Sequence, residues 1–139
     1  MWLAIVSASL LFGGNAFADD SLQGGWALTS ITNAEGVVVG VNVYRNRRPH
    51  GDLGFWASAL DARVRARYGA TQRVEIATNS GVEGIQIRAA TARDGRPHRY
   101  WATVFVTGRN VVLVEAGGDE AHFSGHEDDV VAAIQSIDI

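Results

Sequence analysis

Two runs near the end of the 139-residue chain constrain it most: His98 to Thr107 and Val111 to Ala116 are apolar on both faces, with only Gly108-Arg109-Asn110 between them. A half-buried strand alternates apolar and polar residues, whereas a run apolar on both faces belongs in the middle of a sheet covered on both sides. Helices are the material available to cover it, and the sequence offers two. After Asp52, a good N-cap, the residues Leu53, Trp56, Leu60, Val64 and Tyr68 recur at spacings of 3 and 4 as far as Gly69, which predicts an amphipathic helix over 52–68. Ser124-Gly-His-Glu127 has the form of a capping box and predicts a second helix over 124–137, with Val130, Val131, Ile134 and Ile137 as its buried stripe.

The remaining segments read as strands. Trp26 to Thr32 and Val37 to Tyr44 are β-rich and joined by Asn33-Ala-Glu-Gly36, a hairpin pattern. Arg73 to Thr78 and Gly84 to Ala92 follow, with Asn79-Ser80-Gly81 between them, and Arg93-Asp94-Gly95-Arg96 is a tight turn because Asp-Gly tolerates positive φ. Trp26, Trp56, Tyr100, Trp101 and Phe105 fall at strand and helix spacing and are expected in the core. The fold class expected is α+β: an α/β/α sandwich with a mostly antiparallel sheet flanked by two main helices.

Residues 1–18 read differently. Trp2 to Phe12 are almost uninterrupted apolar and lead into Ala16-Phe17-Ala18 before Asp19-Asp20, the form of a secretory signal peptide cleaved after Ala18. No Lys or Arg precedes the apolar core, so the amino terminus alone supplies positive charge. Residues 19–139 carry no linker or low-complexity tract and are expected to form one domain, periplasmic or secreted, with no stable membrane span once the signal is removed. The chain has no cysteine, which excludes a disulfide scaffold, a thiolate nucleophile, an iron–sulfur cluster and a Cys-based zinc site.

All twelve basic residues are arginine, which reflects genome composition most simply, but their distribution is uneven. Residues 19–44 carry three acids and no base, residues 45–109 carry the twelve Arg against five acids, and residues 110–139 carry seven acids and no base, for a net charge of −3. Such a chain either binds an anionic partner through its middle or pairs its own basic and acidic parts. The overall acidity and the lack of a basic cluster with interleaved aromatics disfavour nucleic acid.

Chemistry is sparsely signposted. His122 and His126 are four apart and, with Glu127 or Asp119, could hold a metal for a small hydrolase, yet Ser124 and Gly125 intervene and the cap places His122 before the helix. No serine sits in a Gly-x-Ser-x-Gly frame, and Gly117-Gly118 run into Asp119-Glu120, the wrong charge for cradling phosphate. The sharpest coincidence is that both prolines lie inside Arg-Pro-His, at Arg48-Pro49-His50 and Arg96-Pro97-His98. Proline rigidity could hold arginine and histidine outward as anion donors, so Arg45, Arg47, Arg48, His50, Arg96 and His98 are the candidate binding residues, with the loop Arg45 to His50 foremost. Neither a catalytic residue nor a cofactor is expected.

The order of elements carries a resemblance. A hairpin, an amphipathic helix, strands with Gly81-Val-Glu-Gly84 and a late Arg-Asp-Gly turn, the strands Trp101 to Thr107 and Val111 to Ala116, then Phe123 and a helix closing on Ala133-Ile-Gln-Ser136-Ile137 resemble the PsbP-like and DcrB-like group. That group shares its α/β/α sandwich with the nuclear import factor Mog and with some chaperones of secreted effectors. The resemblance covers Trp26 to Ile137 and rests on element order and on turn residues, with no catalytic signature. Its lipoprotein members carry a lipid-accepting Cys that this chain lacks. It implies a small exported bacterial protein with a binding or assembly role and names no partner; with the charge distribution, the partner expected is a protein or an anionic component of the envelope.

Overall fold

A computed structural model describes residues 2–4, 28–32, 37–47 and 50–139. Among the described residues seven strands form one sheet: β1 (Trp2–Ala4), β2 (Leu28–Thr32), β3 (Val38–Arg45), β4 (Thr71–Ala77), β5 (Glu83–Arg93), β6 (Arg96–Val106) and β7 (Asn110–Asp119). Their spatial order is β1-β2-β3-β7-β6-β5-β4, and every neighbouring pair is antiparallel. The chain leaves β3, crosses one face as helix α1 (Leu53–Tyr68), starts again at the far edge with β4 and returns strand by strand until β7 pairs with β3.

That route places β6 and β7 in the interior of the sheet, as their two apolar faces require. On one face Tyr100, Ala102, Val104, Val111 and Leu113 pack against Trp56, Ala57, Leu60 and Val64 of α1. On the other, Trp101, Phe105, Val112, Val114 and Ala116 pack against Phe123 of α2 (Glu120–Phe123) and Val130 and Ile134 of α3 (Glu127–Gln135). The molecule is therefore an α+β protein with the three-layer α/β/α arrangement. Among the described residues no helix is long and apolar enough to cross a membrane.

Local chemistry explains most element ends. Asp52 Oδ1 accepts the Phe55 N–H at 2.9 Å to start α1, and the Gly69 N–H closes it on the Arg65 carbonyl at 2.9 Å. Asp94 and Gly95 take φ of 52° and 75°, the two positive angles of the tight turn joining β5 and β6. Gly84 serves packing instead, because a Cβ there would come within 2.5 Å of the Phe105 ring. The hairpin of β2 and β3 forms with Thr32 opposite Val38.

The second helix differs from the sequence expectation. Asp119 Oδ1 accepts the Ala121 N–H at 2.9 Å and starts a short helix one turn early, and the Ser124 N–H closes that helix on the Glu120 carbonyl at 3.0 Å. Ser124 thus ends one helix and does not cap the next. The fully buried Phe123 anchors the chain at this point, and α3 starts afresh after His126, whose Nδ1 lies 3.1 Å from Asp129 Oδ2. The proposed signal segment, 1–18, and Trp26 lie outside the described residues apart from Trp2–Ala4, which forms the outermost strand and pairs only with β2.

Candidate functional site

The loop after β3 is built around a buried asparagine. Asn46 Oδ1 accepts the Trp56 indole N–H at 3.0 Å, its Nδ2 donates to the Gly51 carbonyl at 2.9 Å, and its backbone N–H donates to the Arg109 carbonyl at 2.8 Å. One residue therefore fastens the loop to α1 and to the turn between β6 and β7. Its chain neighbours Arg45 and Arg47 are exposed, as is Arg109 in the adjoining turn. Three arginines from two turns thus surround one end of the sheet. Among the described residues no carboxylate pairs with Arg45, Arg47 or Arg109. His50 is exposed with φ 54°, its N–H donating to the Arg47 carbonyl at 2.8 Å, while Arg48 and Pro49 lie outside the described residues.

The second Arg-Pro-His stands elsewhere. Arg45 lies opposite Asn110, whereas His98 lies opposite Asp119, nine residues further along β7. At the usual rise per residue the two repeats are about 30 Å apart, at opposite ends of the sheet, and do not form one site. Arg96 is exposed beside the tight turn, and His98 Nδ1 lies 3.1 Å from the Arg96 carbonyl. The acidic end of the chain gathers at that same end, where Arg99 meets Glu120 at 2.8 Å and Glu127 at 3.7 Å. Among the described residues Arg99 pairs the basic middle with the acidic end, at the end of the sheet away from Arg45 and Arg47.

The histidine pair does not converge. His122 lies on α2, His126 precedes α3 and is engaged with Asp129, and Glu127 faces Arg99. Among the described residues no three His, Asp or Glu side chains are placed to hold one metal ion.

Sequence reasoning passed over Glu115. It is 1% exposed in the centre of β7, where Tyr100 Oη donates to its Oε1 at 2.6 Å. Its Oε2 has no hydrogen-bond partner among the described residues, and neither has the buried Nδ2 of Asn42. The two side chains share the α1 face, since Glu115 lies opposite Gly40 and Asn42 opposite Leu113, two residues along each strand. Burial pushes the Glu115 carboxyl up to about 7, although the Tyr100 hydrogen bond and the positive charge of Arg67 favour its ionised form. Tyr100 is raised well above the ordinary tyrosine value, first by burial and then by the Glu115 charge, and the Tyr68 ring stacks beside it at 4.7 Å. This group can take up and release a proton near neutrality, but it offers a substrate almost no open surface. One signal pointed to it: an acid inside a run whose apolar character demanded cover on both faces must itself be buried.

Comparison with known proteins adds the fold and little more. No protein-family profile matches the chain, and no curated protein matches it. Among solved structures it is similar to the crystal structure of PA94, a Pseudomonas aeruginosa protein of unknown function, with a TM-score of 0.62 at 12% identity over 86% of this chain and 87% of that one. At that identity the likeness is one of architecture.

Proposed function

We propose that this chain is an exported, non-catalytic binding or assembly module of the bacterial cell envelope, which takes an anionic partner on the end formed by Arg45, Arg47 and Arg109. The observation that carries this reading is the set of three exposed arginines on two turns that the buried Asn46 ties together, matched by no acid among the described residues. Arginines that serve the fold find their acids within the chain, as Arg65 does with Asp61 at 3.0 Å. Arginines that meet no acid among the described residues are suited to a partner's carboxylates or phosphates through their planar donor forks.

The resemblance to the PsbP-like and DcrB-like group supports a binding role, and the apolar run from Trp2 to Phe12 with the small-x-small site at Ala16-Phe17-Ala18 supports export. Cleavage there would remove β1, an edge strand, and leave the other six paired. Capture from an envelope extract tests the binding reading. Exchanging Arg47→Gln together with Arg109→Gln is expected to lose most of the partner while the melting temperature stays within about 2 °C, because exposed unpaired arginines contribute little to stability. Undiminished capture by the folded double variant contradicts it.

A further inference from the structure

On the opposite face of the sheet from α1, a cleft of about 300 Å³ is lined in part by Gln72, Arg88, Ala90, Arg99, Trp101 and Glu127. Gln72, Arg88 and Trp101 lie directly opposite one another on β4, β5 and β6, so their side chains form a row across that face. The Arg88 guanidinium lies 3.8 Å from the Trp101 ring centroid, and its Nε donates to Gln86 Oε1 at 2.6 Å. Gln86 in turn donates from Nε2 to Thr103 Oγ1 at 3.0 Å, and both of these side chains are fully buried. A polar pair inside an otherwise apolar layer costs stability unless satisfied, and here its outward bond goes to Arg88. Beneath, the Trp101 ring is held edge-on by Phe123 at 4.8 Å.

The guanidinium is thus fixed on its Nε side and on one ring face, and among the described residues no acceptor bonds its Nη groups. Arg99, in the next row of the same face, has Ala90 opposite it on one side and Gly118 on the other, so small residues leave the space open. Its charge is already met by Glu120 at 2.8 Å and Glu127 at 3.7 Å.

We infer that this cleft binds a carboxylate, with Arg88 taking its two oxygens on the free Nη edge and Trp101 and Ala90 flanking the stem that carries it. The open Nη edge of one guanidinium suits a single carboxylate, because a planar donor fork matches a planar acceptor. A phosphate dianion would face Glu127 across the same small space. Glu127 acts as the competitor within the chain: its charge favours protonated Arg88, against the burial that disfavours it. The site lies on β4 to β6, away from the arginines of the Arg45 loop, and does not depend on their role.

Resonances of the Arg88 Nε–H and the Trp101 indole N–H, followed by NMR during titration, test the inference. The probes are benzoate, a short peptide with a free terminal carboxylate, the same peptide amidated, and inorganic phosphate. Saturable shifts with benzoate alone mean a small free acid, with the peptide acid alone a polypeptide terminus, and with both a site that reads the carboxylate whatever carries it. Arg88→Gln should weaken binding by roughly tenfold or more, and Glu127→Gln, which leaves the Arg88 cradle intact, should tighten it by about threefold. Saturation by neither carboxylate, equal response to the amidated peptide or to phosphate, or unchanged affinity in Glu127→Gln overturns the inference.

Discussion

Glu115 makes the fold sensitive to pH near neutrality. Its carboxyl sits at about 7 in the fold against 4.5 ordinarily, so the folded chain holds this proton more tightly than the unfolded chain does. The sign follows from linkage: the favourable contribution is complete below the ordinary value and is lost as pH rises through 4.5 toward 7 and beyond. Over that window the loss is roughly 3 kcal/mol. Glu115→Gln keeps an acceptor for the Tyr100 hydroxyl without the charge. Denaturation midpoints measured from pH 4.5 to 8.5 should therefore be much flatter for this variant and should exceed the parent's only at the alkaline end. A parent whose midpoint does not fall between pH 5 and 8 shows that Glu115 is not desolvated as described. Asn46 is the other residue with a large expected effect. Asn46→Ala removes two side-chain hydrogen bonds around Trp56 and Gly51 and should cost about 1–3 kcal/mol in urea denaturation, with a partner-binding loss that follows from the unpinned loop.

Each layer of the sandwich hangs on a helix with a buried stripe. Leu60 of α1 and Ile134 of α3 are both fully buried on opposite faces, so truncating either to Ala should lower stability by about 2–5 kcal/mol in chemical denaturation. A midpoint unmoved by one of them would show that its helix does not seal the sheet. Elements of this kind were legible in the sequence wherever one local signal dominated. The 3-and-4 spacing from Leu53 to Tyr68 bounded α1, Asp94-Gly95 fixed the turn of β5 and β6, and the two-faced apolar runs placed β6 and β7 inside the sheet. The capping box at Ser124 misled: Asp119 caps a short helix instead, and the buried Phe123 lies at its end. The candidate site was less legible, because its parts meet only through pairing. The contact of Asn46 with Arg109, the Glu115–Tyr100 hydrogen bond and the separation of the two Arg-Pro-His repeats all depend on β7 joining β3 and β6. Nothing local in the sequence states that pairing.

At the scale of the whole molecule, the uneven charge along the chain becomes two different ends. One carries Arg45, Arg47 and Arg109, which meet no acid among the described residues, and the other holds Arg96, His98 and the acids that engage Arg99. A folded domain with a fixed basic end suits a partner that approaches from one direction, and the attraction should weaken with salt over the screening length of about 10 Å at 0.1 M. Export is the matching expectation at this scale, and mass measurement of the protein purified from its native host should give a chain beginning at Asp19. An intact residue 1–18 segment in the cytoplasm would contradict it. The most direct measurement compares the two ends: capture from envelope extract at 50 and 200 mM salt by the parent, by Arg45→Gln with Arg47→Gln and Arg109→Gln, and by Arg93→Gln with Arg96→Gln. The account predicts that the first variant loses most of the capture and its salt dependence while the second keeps both. Loss confined to the second variant, or equal loss in the two, would contradict it.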